Sequence, residues 1–299
     1  MIGQPVRRAY IFAILAVLFW STSPTAFKLG LRFQDTYQLL TGASLASLSV
    51  LGFILIIQRK TGQLRSLSWK DLGFSALMGL LNPVAYYLIL FKAYTLLPAQ
   101  VAQPLNMVWP LVLVLISIPI MGHRIRWRSI GAMVISFTGV VIISYQGGMA
   151  GKNAGNTLGI FLALSTSLLW AVYFIYNARD KKDPVVRLFL NFLFASVYLL
   201  LGGWLKGGCL PASPEGWLTA AYVGIFEMGI TFVLWLLAMQ YSATTDRISN
   251  LVYVAPFLNL IIVNIVLDES IYRSTVLGII LLVSGIVIQN MRGKHAKTS

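Results

Sequence analysis

The chain has 299 residues, 58% of them hydrophobic and only 11% charged, and its mean hydropathy is +0.78. A soluble domain carries roughly a quarter charged residues, so this composition excludes a surface covered by water and makes lipid the expected solvent. The formal charge of +14 does not point to nucleic acid, because Lys and Arg fall in short clusters between apolar stretches, where they set topology.

A helix that crosses the hydrocarbon core needs about 20 mainly apolar residues. Ten apolar runs stand between polar punctuation, at about 9–27, 36–57, 71–93, 99–120, 128–145, 157–177, 186–205, 217–240, 247–267 and 274–291. The first follows Arg7 and Arg8 as a signal peptide would. Its tail, Ser21-Thr22-Ser23-Pro24, offers no small-x-small cleavage site, and it is read as a retained first helix. With the N-terminus inside, the inner side collects 17 of the 23 Lys and Arg residues and the outer side 6. The positive-inside rule therefore predicts that both termini are cytoplasmic. The loops at 59–70, 122–128 and 179–187 then lie inside, and those near 152 and 206 lie outside. The single cysteine, Cys209, allows no intrachain disulfide.

The two halves of the sequence echo each other. Phe19-Trp20-Ser21-Thr22 pairs with Leu169-Trp170-Ala171-Val172, and Gly79 with Gly224. Trp109-Pro110-Leu111 pairs with Ala255-Pro256-Phe257, and Ile130-Gly131 through Thr138-Gly139-Val140 with Leu277-Gly278 through Ser284-Gly285-Ile286. The offsets are 150, 145, 146 and 147 residues. Five helices followed by five more, at 1–150 and 151–299, put the second copy in the membrane upside down. Inverted repeats of this kind recur among secondary transporters, whose sites lie near the bilayer midplane.

These motifs resemble the drug/metabolite transporter superfamily, and within it chains with two EamA-type repeats, over nearly the whole length. Leu18-Phe19-Trp20-Ser21-Thr22, Asn106-Met107-Val108-Trp109-Pro110 and Leu169-Trp170-Ala171-Val172-Tyr173 resemble most the YddG-like exporters of aromatic and other neutral amino acids. The resemblance implies a bacterial inner-membrane protein with a basket-shaped bundle. Its cavity would be lined by the first, third and fourth helices of each repeat, with the fifth helix outside as scaffold. The family often carries a glutamate between the fourth and fifth helices; here the first half reads Met121-Gly122-His123-Arg124 and the second Asp268-Glu269.

Polar side chains in hydrocarbon are costly and tend to face a bundle interior or a wet cavity. Glu227, midway along the eighth run, is a candidate for proton exchange or for a substrate ammonium group; the alternative is a structural carboxylate. Asn82 lies at the corresponding place in the third run, before Pro83, where a proline breaks helix regularity. Tyr86, four residues on, is expected on the same face, and Tyr87 follows it. Gln100, Gln103, Asn106 and Pro110, with Trp109 beside them, form an amide stripe at spacings of 3, 3 and 4. Amides without fixed charge suit a neutral or zwitterionic solute, although they also bond helices to one another. Asn250, Tyr253, Pro256 and Phe257 mirror this face in the ninth run, and Asn259 and Asn264 are weaker candidates. Trp20 and Trp170, with Tyr173 near the latter, are candidates for stacking an aromatic substrate or for packing. Lys28 and Lys92 are expected to snorkel.

An enzyme is not expected. His123 and His295 fall outside the apolar runs, no helix has two histidines four apart, there is no phosphate-binding loop, and the nine acids are scattered. The sequence reads as an all-α, ten-helix, 5+5 inverted-repeat transporter exporting neutral or aromatic amino acids by alternating access. A lipid flippase, a channel, or an exporter of other drugs or metabolites is the alternative. Its expected partners are a small-molecule substrate and membrane lipid, with protons open, and no cofactor.

Overall fold

The computed structural model of the chain describes residues 4–109, 111–113, 115–116, 127–149, 156–205, 207–241 and 250–291. Every regular element among the described residues is helical. We label them α1 (Gln4–Phe33), α2 (Thr36–Ile57), α3 (Trp69–Gly79), α4 (Tyr86–Leu96), α5 (Ala99–Asn106), α6 (Trp127–Met149), α7 (Thr157–Arg179), α8 (Pro184–Leu205), α9 (Pro214–Tyr222), α10 (Ile230–Tyr241), α11 (Ala255–Leu267) and α12 (Arg273–Met291). Wider π-helical segments, Leu80–Ala85 and Val223–Gly229, join α3 to α4 and α9 to α10. Among the described residues six stretches are long and apolar enough to cross a membrane: Arg7–Phe33, Thr36–Ile57, Trp69–Leu96, Thr157–Asn177, Pro184–Leu205 and Pro214–Ala238. Three shorter apolar helices, Ile130–Ile143, Leu251–Leu267 and Arg273–Ile288, fall on the fifth, ninth and tenth expected runs.

The helices begin where polar residues satisfy their first N–H groups. Asp35 and Gln38 form a reciprocal capping box at the start of α2, and Ser68 and Asp71 form another at α3. Ser213 Oγ accepts from Gly216 N (3.0 Å) ahead of Pro214, the first residue of α9. Between these caps the apolar runs extend the helices into the hydrocarbon.

The chain divides into two compact units, Met1–Phe91 with Tyr176–Ala255, and Lys92–Ile175 with Pro256–Ser299. In the first unit α2 packs on α8, α9 and the second π segment, while α8 packs on α2, α3 and the first π segment. Glycine sets these distances. A Cβ on Gly79 would fall on the Asn191 carbonyl, and one on Gly224 would fall on the Ala43 carbonyl. Both glycines are therefore places where helix backbones touch, the contact that small residues permit between helices in lipid.

Two buried side chains tie segments far apart in sequence: Gln34, between α1 and α2, reaches α9, and Arg187 on α8 reaches α3. Gln34 Nε2 donates to the Gly216 carbonyl (3.0 Å) and Thr219 Oγ1 (3.4 Å) in the first turns of α9. Arg187 Nη1 donates to the Asp71 carbonyl (2.9 Å) and Ser75 Oγ (2.7 Å) in the first turns of α3. Arg187 is 4% exposed, too buried for a bare guanidinium. It is held by an ion pair with Asp180, by Asp71 at 3.5 Å, and by the ring of Phe74, whose centroid lies 4.9 Å from its guanidinium carbon. Lys60 with Asp183 (2.7 Å) and Lys182 with Asp71 (3.2 Å) extend the cluster.

In the second unit α6 and α12 are the most extensively packed pair. A Cβ on Gly139 would fall on the Gly278 carbonyl and one on Gly285 on the Ala132 carbonyl, and Ser136 Oγ donates to the Leu282 carbonyl (3.0 Å).

Gly79→Val and Gly224→Val each push a side chain into a neighbouring backbone and are expected to cost about 1–3 kcal/mol or more, read as lower thermal stability and folded yield in detergent. Gly73→Ala, where a Cβ meets nothing within 4 Å, is expected to leave both unchanged.

Candidate functional site

Glu227 alone among the nine acidic residues sits deep inside an apolar run. The π segment Val223–Gly229 carries it. Such wide turns often mark functional positions, because the extra residue per turn redirects side chains. Ser23 Oγ on α1 donates to Glu227 Oε2 (2.6 Å) and Tyr87 Oη on α4 donates to Oε1 (3.0 Å). Ser23 has one proton to give, and the carboxylate is a stronger and closer acceptor than the Phe19 carbonyl at 3.1 Å. Next to this group, Thr22 Oγ1 and Tyr222 Oη are hydrogen-bonded at 2.7 Å. Rings crowd around it: Phe19 lies 4.9 Å from Phe226, and Phe27 stands edge-on to Tyr87 at 6.3 Å. Among the described residues no Lys, Arg or His stands within ion-pair distance of Glu227, and its hydrogen-bond partners are neutral hydroxyls.

Asn82 belongs to the same unit and is buried in the other π segment, and the peptide joining it to Pro83 is cis. Its backbone is extended (φ −146°, ψ 115°), so helical spacing does not run across it, and the expectation that Asn82 and Tyr86 share a helix face fails for that reason. Tyr87 is the tyrosine that reaches the carboxylate; Tyr86 packs edge-on against it at 4.8 Å. Trp20 is half-buried between Phe232 (6.0 Å) and Trp235 (5.3 Å), and Tyr253 is buried in the 3-10 turn Asn250–Val254.

In the second unit Gln100, Gln103 and Asn106 lie on the regular helix α5, which ends at Asn106 and is buried all round. Each amide has a partner inside the unit. Gln100 Nε2 donates to the Ser270 carbonyl (2.7 Å), Tyr94 Oη donates to Gln103 Oε1 (2.8 Å), and Asn106 Nδ2 donates to Thr166 Oγ1 (2.8 Å). Gln100 Oε1 is buried without a hydrogen-bond partner. Glu269 accepts from the N–H groups of Ala99 (3.2 Å) and Gln100 (3.4 Å), so this acid neutralises the positive end of α5. Trp109 packs on Phe174 (5.6 Å), and Trp170 on the buried Tyr173 (5.8 Å). Asn259 is buried with its Oδ1 unpartnered, and Asn264 Nδ2 donates to the Glu269 carbonyl (3.0 Å). Pro110, the side chain of Asn250, the stretch containing His123, and Lys152 and Lys206 lie outside the described residues.

Sequence reasoning did not single out Ser23, Thr22 or Tyr222, and it counted Arg187 as a loop charge. Nothing local marks Ser23, whose partner is 204 residues away. For Arg187 helical spacing gives no signal either, because Asp180 lies in the non-helical link between α7 and α8.

The EamA-like transporter family matches the chain twice, at residues 7–145 and 157–291. A protein of Streptantibioticus cattleyicolor named "probable terminal-alkyne amino-acid exporter" is 25% identical over 287 residues, 93% of this chain and 92% of its own. The "aromatic amino acid exporter YddG" of Ancylobacter novellus is 27% identical over 177 residues, 58% of this chain and 61% of its own. A solved crystal structure superposes with a TM-score of 0.65 at 21% identity, covering 97% of this chain and 99% of that one.

The Tyr94–Gln103 bond yields a double-mutant cycle. Gln103→Leu removes the acceptor of the Tyr94 hydroxyl, and Tyr94→Phe removes the donor to Gln103 Oε1. Each is expected to destabilise by about 1–3 kcal/mol, and the double variant by less than their sum, with a coupling of about 0.6–1.7 kcal/mol. Thermal or denaturant unfolding of the four proteins in detergent measures it.

Proposed function

This chain belongs to the EamA-like transporter family, a multi-pass membrane transporter and not an enzyme, and from that premise we propose that it is a secondary exporter of neutral or aromatic amino acids and similar small organic solutes. It crosses a bacterial cytoplasmic membrane ten times, as two inverted five-helix repeats at 1–150 and 151–299, with both termini in the cytoplasm. The repeats alternate the access of one site between the two faces. The observation that carries this reading is the recurrence of the same device in both halves. The π segments Leu80–Ala85 and Val223–Gly229 interrupt corresponding helices, with Asn82 in one where Glu227 stands in the other, 145 residues on. Broken helices with polar residues at corresponding points of two repeats are the pointer to a transport site. The exporter names of the two relatives support the amino acid class.

Trp20, Asn82, Tyr86, Glu227 and Tyr253 are the contacts proposed in the first unit. Gln100, Gln103, Asn106, Trp109, Trp170 and Tyr173 are those proposed in the second, and Asn250 completes the set. For the α5 amides the bonding described above is the competing role. Variants separate the two: Gln103→Leu or Asn106→Leu should lower transport per folded molecule by more than the loss of folded protein explains.

The function is tested by counterflow of radiolabelled phenylalanine, tryptophan, leucine and alanine into liposomes preloaded with the unlabelled solute. Uptake several times that of empty liposomes is expected for at least one of them, and none for a sugar phosphate. Absence of counterflow for the whole panel overturns the amino acid class. Orientation is tested in a Cys209→Ser background with single cysteines. Those at 63 and 181 should label from the cytoplasm, those at 152 and 207 from outside, and the reverse pattern overturns the topology.

A further inference from the structure

Glu227 is a carboxylate whose described partners are two neutral hydroxyls. Each carboxylate oxygen accepts in two directions, and here each receives one proton, from Ser23 on Oε2 and from Tyr87 on Oε1. One acceptor direction on each oxygen stays open. The hydroxyls fix the orientation of the group and leave its charge uncompensated, and a charge in an apolar surrounding strongly favours the approach of an opposite charge. The residue is only partly covered in the folded chain. Aromatic residues stand next to it: Phe226 precedes it and packs, tilted, on Phe19 and Tyr222 at 4.9 and 5.0 Å, and Tyr87 packs among further rings. Ring faces attract organic cations, whereas a hydrated metal ion needs several oxygen ligands. Among the described residues no group of three or more acidic, His or Cys side chains is placed to hold a metal.

We propose that Glu227, oriented by Ser23 and Tyr87, is the docking point for the ammonium group of an organic solute, so that the protein selects primary amines carrying an apolar or aromatic group. This rests on the exporter reading above and narrows it. The amine becomes the required part of the substrate, and the substrate's own carboxylate is secondary. Ser23 and Tyr87 are positioning residues, since they act through the carboxylate.

The test uses the full-length protein in two assays. In phenylalanine counterflow, phenethylamine, which has the ammonium and the ring but no carboxylate, should compete, and N-acetyl-L-phenylalanine, which has no ammonium, should compete at least tenfold more weakly. In calorimetry on detergent-purified protein, phenethylamine should bind the wild type and bind Glu227→Gln at least about tenfold more weakly, a loss of about 1.4 kcal/mol. Glu227→Asp should fall between them. Should Glu227→Gln fail to fold, by size-exclusion profile and melting temperature, Ser23→Ala and Tyr87→Phe serve in its place, each expected to weaken phenethylamine binding severalfold. Equal competition by the N-acetyl compound, or wild-type amine affinity in Glu227→Gln, overturns the proposal. So does a Glu227→Gln protein that keeps amine affinity and loses only its response to a pH gradient, which assigns the residue to protons. Amine binding without amino acid counterflow leaves the docking site standing and defeats the exporter reading; counterflow without amine selectivity does the reverse.

Discussion

Hydrocarbon offers a helix neither hydrogen bonds nor a hydrophobic reason to join its neighbour, because lipid tails are as apolar as leucine side chains. Association in such a solvent has to come from close backbone contact and from polar groups that find partners inside the protein. Both terms are visible here. Gly79 and Gly224 allow helices to approach until main chains touch, and Gly139, Gly278 and Gly285 do the same between α6 and α12. The polar side chains that cross between helices, such as Ser136 to Leu282 and Asn106 to Thr166, end on partners and not in lipid. Pairing helices in this way leaves their other faces free to be apolar. Large exposed side chains such as Leu201, Ile265 and Leu218 are then ordinary lipid contacts.

Against that background the exceptions identify themselves. Arg187 is buried and charged, and is surrounded by acids, a hydroxyl and a ring that answer its charge. Glu227 lies deep in an apolar run and, among the described residues, is answered only by hydroxyls. A fully matched charge holds structure together, and the carboxylate with hydroxyl partners alone is the one proposed above to meet an ammonium group. That difference, more than depth in the membrane, separates the two residues.

The sequence makes the helices legible because lipid imposes a simple length and polarity rule. Runs near 36–57, 157–177 and 186–205 correspond closely to Thr36–Ile57, Thr157–Asn177 and Pro184–Leu205. What it hides are departures from α-helical period. A π segment has no residue signature comparable to a cap, so the wide turns at Leu80–Ala85 and Val223–Gly229 cannot be read from spacing, and extended Asn82 defeats the i to i+4 rule applied to Tyr86. The amide stripe of α5 was readable because Gln100, Gln103 and Asn106 lie within one regular helix. Their partners were not, since Thr166 is 60 residues away and Ser270 is 170. Glu227 stood out by its chemistry alone, and its companions Ser23 and Tyr87 needed the fold to find them.

The ties made by Gln34 and Arg187 also have a consequence for biosynthesis. The carbonyl of Asp71 waits 116 residues for Arg187, and Gln34 waits 182 for Gly216. At a ribosomal pace of about 5–20 residues per second, these intervals last roughly 6–23 and 9–36 seconds. During that time the nascent chain sits in the bilayer with polar groups whose partners have not yet been made. Neither tie can close until its later helix, α8 for Arg187 and α9 for Gly216, has been made.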